Sequence, residues 1–178
     1  MIDQIRIAMK NILLLFSLVI LLNACEERKF KLKYVHENMV YLDKSELPPL
    51  DIQQFVYVPA YSDIYYESEK KKTYLTVILS LRNISFTDTI YYDKIDYYGS
   101  DGKPIHSYID KVLVLRPMES MEYIVRSSSK KGGAGANFVV RYLADSNLKN
   151  HPYIESVMIG NLDSYRFSFS SQGIKIKK

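Results

Sequence analysis

The stretch TYLTVILSLR, residues 73–82, alternates with a period of two. Leu75, Val77, Leu79 and Leu81 fall on one face. Thr76, Ser80 and Arg82 fall on the other, with Ile78 the exception. One apolar and one polar face is the pattern of a half-buried strand in an antiparallel sheet. The same rhythm recurs downstream. SMEYIVR (120–126) aligns Met121, Tyr123 and Val125, and NFVVRYL (137–143) aligns Phe138, Val140 and Tyr142. YRFSFS (165–170) sets Tyr165, Phe167 and Phe169 against Arg166, Ser168 and Ser170. No long stretch after Phe55 holds a helical period.

Turn signals separate these runs. Asp101-Gly102 in GSDGK marks a hairpin, because such turns need positive φ. Pro117 turns the chain in RPMES, and RNISFTD divides two strand-like runs. YYDKIDYY (91–98) alternates poorly unless one extra residue bulges near Asp93 and Lys94. About eight short strands at regular spacing suggest a sandwich or a barrel. A chain of this length buries roughly two thirds of its unfolded surface, enough for one core without staples.

The N-terminal segment has a different composition. MIDQIRIAMKNILLLFSLVILLNAC has a basic start, an apolar run over 12–22, and Cys25 after Leu22 and Ala24. The run fits a signal peptide and is short for a membrane span. LNAC resembles the lipobox of bacterial lipoproteins, in which the cysteine thiol takes a diacylglyceryl group and becomes the new N-terminus. Residues 1–24 are then the signal peptide and Cys25 the lipid-attachment residue. Acyl chains contribute about 0.8 kcal/mol per buried methylene, so several chains anchor a protein firmly. Glu26 and Glu27 after Cys25 resemble the acidic export signal of some Bacteroidetes surface lipoproteins. The expected location is the outer membrane, on its periplasmic or its cell-surface face. Cys25 is the one cysteine, which excludes a disulfide within the chain.

Residues 25–50 are rich in charge and carry Pro48-Pro49 near their end, the composition of a tether, with the domain expected over 51–178. The net charge is +4, and basic residues mix with acidic ones apart from EKKK (69–72) and KIKK at the end. A nucleic-acid reader clusters its basic residues on one face, so no nucleic-acid partner is expected. Lysine runs of this kind are ordinarily solvated loops and tails.

KKGGAGANF (130–138) is the one motif with a chemical look. A Walker loop ends in Gly-Lys-Ser/Thr before a helix, and here the lysines come first and a strand follows. Two readings stand. The glycines connect two strands through positive φ or close backbone approach. Otherwise Lys130, Lys131, Gly132, Gly133, Gly135 and Asn137 form an anion-binding loop of backbone N–H groups. His36, His106 and His151 lack metal-ligand spacing, and no cofactor or metal is expected.

The chain has 16 tyrosines and no tryptophan. Tyrosine suits strands and fills sandwich cores. Doublets such as Tyr91-Tyr92 and Tyr97-Tyr98 place one ring outward, so these four are candidate contact tyrosines for a protein or glycan partner.

In combination, VYVPAYSDIYY, LTVILSLRN, IDYYGSDGKPI, LRPMES, GGAGANF and VMIGN resemble the bacterial family known as domain of unknown function 3124, over residues 55–174. That resemblance implies a secreted or lipid-anchored β-protein and brings no catalytic residues. LRPMES is also similar to the Leu-x-Pro-x-x-Ser turn of immunoglobulin-like bacterial sandwiches. The expected fold is one all-β, immunoglobulin-like antiparallel β-sandwich. The expected role is a non-enzymatic binding module on the cell envelope. The alternative is a hydrolase that uses His106 or His151 with a serine and an acid.

Overall fold

A computed structural model describes residues 39–177. Residues 38–178 form one compact unit, and only that unit is described below. The expected signal peptide, Cys25, His36 and the expected tether as far as residue 38 lie outside the described residues.

The described unit is all-β. Its strands are β1 (Val40–Leu42), β2 (Ile52–Pro59), β3 (Asp63–Tyr66), β4 (Ser68–Tyr74) and β5 (Thr76–Arg82). There follow β6 (Ile90–Tyr98), β7 (Pro104–Ser107), β8 (Val112–Leu115), β9 (Ser120–Val125) and β10 (Asn137–Ala144). The last three are β11 (Tyr153–Leu162), β12 (Tyr165–Gln172) and β13 (Ile174–Ile176). One sheet runs β1-β8-β6-β10-β2-β13, with β7 also on β6, and the other runs β12-β11-β5-β9. β3 and β4 form a separate hairpin. All pairings are antiparallel.

The alternation read in residues 73–82 sets the packing. Leu75, Val77, Leu79 and Leu81 are wholly buried and share one core with Val58, Tyr92, Ile95, Phe138 and Val140 of the opposite sheet. Fully burying an aliphatic side chain contributes roughly 1.5–3 kcal/mol, so this interdigitated row dominates stability. β5 beside β9 and β6 beside β10 reproduce the B–E and C–F pairs of an immunoglobulin-like sandwich. The flanking places are filled by exchanged strands. β11 lies on β5 where a first strand is usual, and β2 lies on β10 where a last strand is usual.

The bulge expected near Asp93 is present. Arg141 pairs with Lys94 and Tyr142 with Tyr92, so Asp93 is the extra residue. The bulge keeps Tyr92, Ile95 and Tyr97 all on the buried face.

Three local expectations need correction. β1 falls inside the presumed tether, because the wholly buried VLVL of β8 leaves an edge that Val40–Leu42 covers. The first lysine run, 69–72, lies in β4, and Lys175 and Ile176 of the second belong to β13 (Ile174–Ile176) on β2. The Asp101-Gly102 turn uses positive φ at Gly102 alone (+74°). Gly102 N–H donates to Gly99 O and Gly99 N–H to Lys103 O, giving a longer connection than a two-residue hairpin.

At Gly173 the chain passes from one sheet to the other. β12 ends on β11, Gly173 N–H donates to Ile154 O at 2.8 Å, and β13 starts on β2. A Cβ on Gly173 would meet Val56 Cγ1 at 2.7 Å, so the crossing requires glycine.

Candidate functional site

The pairing register gives the sandwich two distinct ends. Pro59, Tyr98 and Asn137 lie level with one another and mark the first. Arg82, Ile90, Leu115 and Tyr153 mark the second. The glycine loop sits at the first end, between the connection that follows β2 and the β6–β7 hairpin.

Two serines from those neighbours bind the loop. Ser62 Oγ accepts from Gly133 N–H at 2.6 Å, and Ser62 N–H donates to Gly133 O at 3.1 Å. Ser100 N–H and Oγ both donate to Gly132 O, at 2.7 and 2.8 Å. Ser100 Oγ also accepts from Gly135 N–H at 2.8 Å. The Tyr97 hydroxyl donates to Lys131 O at 3.3 Å. Gly132 and Gly133 have φ of +113° and +90°, and Lys130 also has positive φ. This is the strand-connection reading in full. The N–H groups of Gly133 and Gly135 that an anion nest would offer are taken by serine hydroxyls. Asn137 serves as the first ladder residue of β10.

Beside this clasp lies an open depression of about 640 Å³, walled by Tyr65, Lys72, Ile105, Lys131, residues 99–101, Lys103 and residues 132–135, with Asp101 the acidic member. Lys72 Nζ pairs with the buried Asp63 carboxylate at 3.2 Å and stands 4.4 Å from the centre of the Tyr65 ring. Tyr65, then Asp63, hold the Lys72 ammonium above its ordinary pKa. The Tyr65 ring is 52% exposed, so it presents a flat apolar face backed by a cation. Lys103 pairs with Asp101 at 3.3 Å, both well exposed, and Lys130 Nζ stands 5.5 Å from the Tyr74 ring.

The four tyrosines expected as contacts are placed otherwise. Tyr92 and Tyr97 are core residues, and Tyr91 and Tyr98 are half-buried. Tyrosine doublets alternate as expected, but on the wet face of β6 the rings share space with the Lys94–Asp96 and Arg141–Asp93 pairs. Tyr98 reaches the Asp96 carboxylate at 3.5 Å. Exposed rings occur instead at Tyr61, Tyr65 and Tyr74 around the β3–β4 hairpin, and at Tyr165. Nothing in the sequence periodicity marked that hairpin, because its lysine-rich strand carries no apolar face.

His106 and His151 lie at opposite ends. His106 pairs with Tyr97 in the ladder and stacks edge-on against Tyr108. His151 Nδ1 lies 2.7 Å from the hydroxyl of the buried Tyr142. Desolvation, then Lys175, lowers the His151 pKa. Among the described residues neither imidazole meets a serine hydroxyl or a carboxylate.

The family described as "Protein of unknown function (DUF3124)" matches residues 53–176, and the chain belongs to that family. No curated protein matches the sequence. Among solved structures, the crystal structure of Thermotoga maritima 1070 is similar at 10% identity with a TM-score of 0.37. The similarity covers 68% of this chain and 92% of that one.

Proposed function

We propose that this family member is a lipid-anchored cell-envelope protein, attached through Cys25, whose sandwich binds an acidic glycan at the glycine-loop depression. It acts as a binding module and catalyses no reaction. One observation carries the reading: the depression lies at the end of the sandwich opposite to where the chain enters it. Val40 pairs with Val114, at the level of Tyr91, whereas the depression lies beyond Tyr98. The depression thus lies at the end of the sandwich away from where an N-terminal anchor would join it.

The chemistry of the wall favours a sugar acid. A volume of about 640 Å³ accepts a few sugar rings. Tyr65 offers a ring face for stacking and Lys131 offers charge to a carboxylate, while Lys72 and Lys103, paired with Asp63 and Asp101, would share theirs with the ligand. The loop itself is held rigid by Ser62 and Ser100, so the wall is formed before binding.

The test is equilibrium binding of uronic-acid oligosaccharides, with neutral oligosaccharides as comparison. Tyr65→Ala and Lys131→Glu each weaken binding about tenfold if the depression is the site. Lack of saturable binding, or binding indifferent to both substitutions, rules the reading out. Metabolic labelling with an alkyne fatty acid that disappears in Cys25→Ala tests the anchor. Protease shaving of whole cells then separates the cell surface from the periplasmic face.

A further inference from the structure

The second end of the sandwich carries an apolar tip that the proposed glycan site does not use. Phe86 is 81% exposed, Met118 60% and Ile84 43%. Large exposed apolar side chains scattered singly are normal, but these three are brought together. Met118 N–H donates to Ser85 O at 3.2 Å, which sets Met118 beside the residue between Ile84 and Phe86.

The tip is rigid. Asn83 is buried, and its Nδ2 donates to Asp88 O at 2.7 Å and to Leu115 O and Arg116 O at 3.0 Å. Its Oδ1 accepts from Ser85 N–H at 3.0 Å. Ser85 Oγ donates to the Asp88 carboxylate at 2.7 Å and accepts from the N–H groups of Thr87 and Asp88. Met118 is held at φ +63°, a strained value for a residue with a side chain. Polar groups therefore point inward and apolar side chains outward, the reverse of an ordinary surface loop.

The chain enters the domain at this same end. Extending the β1–β8 register by one residue puts Met39 opposite Leu115, next to the Arg116–Met118 turn. Only residues 26–38 separate Cys25 from Met39, a reach of at most about 50 Å when fully extended. At the rim of the tip Arg116 stands beside Glu119 and Lys149 beside Asp88, so the apolar side chains are ringed by charges of both signs.

We propose that Ile84, Phe86 and Met118 form a second membrane contact, which dips into the lipid surface that holds the acyl chains and fixes the orientation of the sandwich. The inference rests on the lipid anchor of the proposed function. Short apolar insertions add to an acyl anchor because each buries area in the boundary between headgroups and chains.

The absence of tryptophan provides the test. Phe86→Trp creates a single reporter at the tip, and Tyr165→Trp creates one at the opposite end, where Tyr165 is 78% exposed. The protein purified from its own envelope is placed in vesicles of phosphatidylethanolamine and phosphatidylglycerol with brominated acyl chains, and its intact mass is recorded. Both sites are exposed, and an unchanged far-ultraviolet spectrum certifies the fold. The expected result is a blue-shifted Phe86→Trp emission quenched about threefold more strongly than that of Tyr165→Trp. Equal quenching of the two reporters on a protein with acylated mass overturns the tip contact and leaves the anchor standing. A tip reporter protected by a co-purifying protein, and not by bromine, also overturns it and assigns the tip to a protein partner. A mass without acyl chains overturns both the anchor and the inference drawn from it.

Discussion

A Cβ placed on Gly132 would stand 2.1 Å from the hydroxyl oxygen of Tyr97. The Tyr97 ring is buried against Phe138, centroids 4.9 Å apart, and cannot retreat. Gly132→Ala is therefore expected to lower stability by about 3 kcal/mol, through overpacking and a positive φ together. Gly102→Ala also has a positive φ but meets open space, so its cost is expected near 1 kcal/mol. Urea unfolding midpoints of the two variants check the difference. Adding Tyr97→Phe to Gly132→Ala removes the nearest atom and should recover part of the loss.

Ser100 makes three hydrogen bonds to two groups, its hydroxyl and its N–H both donating to Gly132 O and its hydroxyl accepting from Gly135 N–H. Ser100→Ala retains only the backbone bond. The expected loss is about 1 kcal/mol, and the Gly135 amide should exchange with deuterium faster than the amides of β10. Unchanged protection at Gly135 would show that the loop holds its shape without the hydroxyl.

Arg141 crosses the bulge to form a two-pronged pair with Asp93, with its Nε 2.6 Å from one carboxylate oxygen, and lies over the Phe55 ring. The Asp93 side chain is nearly buried. Arg141→Leu alone strands that carboxylate and should cost about 3 kcal/mol. Arg141→Leu with Asp93→Ala should cost less than the single change, since no uncompensated charge remains. Chemical denaturation of the four proteins in the cycle measures the coupling.

Asn83→Ala should cost about 3 kcal/mol, because it strips partners from three carbonyls and one N–H in a buried turn. Phe86 should then lose its fixed position, seen as a narrowed chemical-shift range for its ring protons.

His151 carries a lowered pKa, so the unfolded chain binds its proton more readily than the folded one. Its contribution to stability is complete above the unfolded value of about 6.5 and is lost as pH falls through the lower folded value. Between about pH 7.5 and 5 the unfolding midpoint should drop more steeply in the parent protein than in His151→Gln. Asp88 and Asp101 are held below the usual carboxylate range and titrate at lower pH, outside this window.

The fold was legible wherever burial imposes a period. β5, β9, β10 and β12 follow from alternation, and even the bulge at Asp93 follows, because Tyr92, Ile95 and Tyr97 share a face only if one residue is skipped. β4 and β13 were not legible. They are held by ladder hydrogen bonds and bury little, so their lysines carry no pattern. The exchange of β2 and β11 between flanking places was hidden for another reason: strand neighbours are fixed by long-range pairing, which no local period records. At the site, the glycine loop stood out in the sequence. Ser62, Ser100 and Tyr65 did not, since a serine or tyrosine in a turn looks ordinary until the chain returns to it. The tip was split between RNISFTD and RPMES, and only the fold joins them.

The crossing at Gly173 has a consequence for how the two sheets are closed. β12 covers the edge of β11, and β13 covers the edge of β2, so one continuous segment completes both sheets. Neither edge is covered before this segment is in place, and the β11 edge needs only residues up to 172 while the β2 edge needs 174–176. Because a single turn at Gly173 joins the two strands, a cut or a slip there would loosen an edge of each sheet at once.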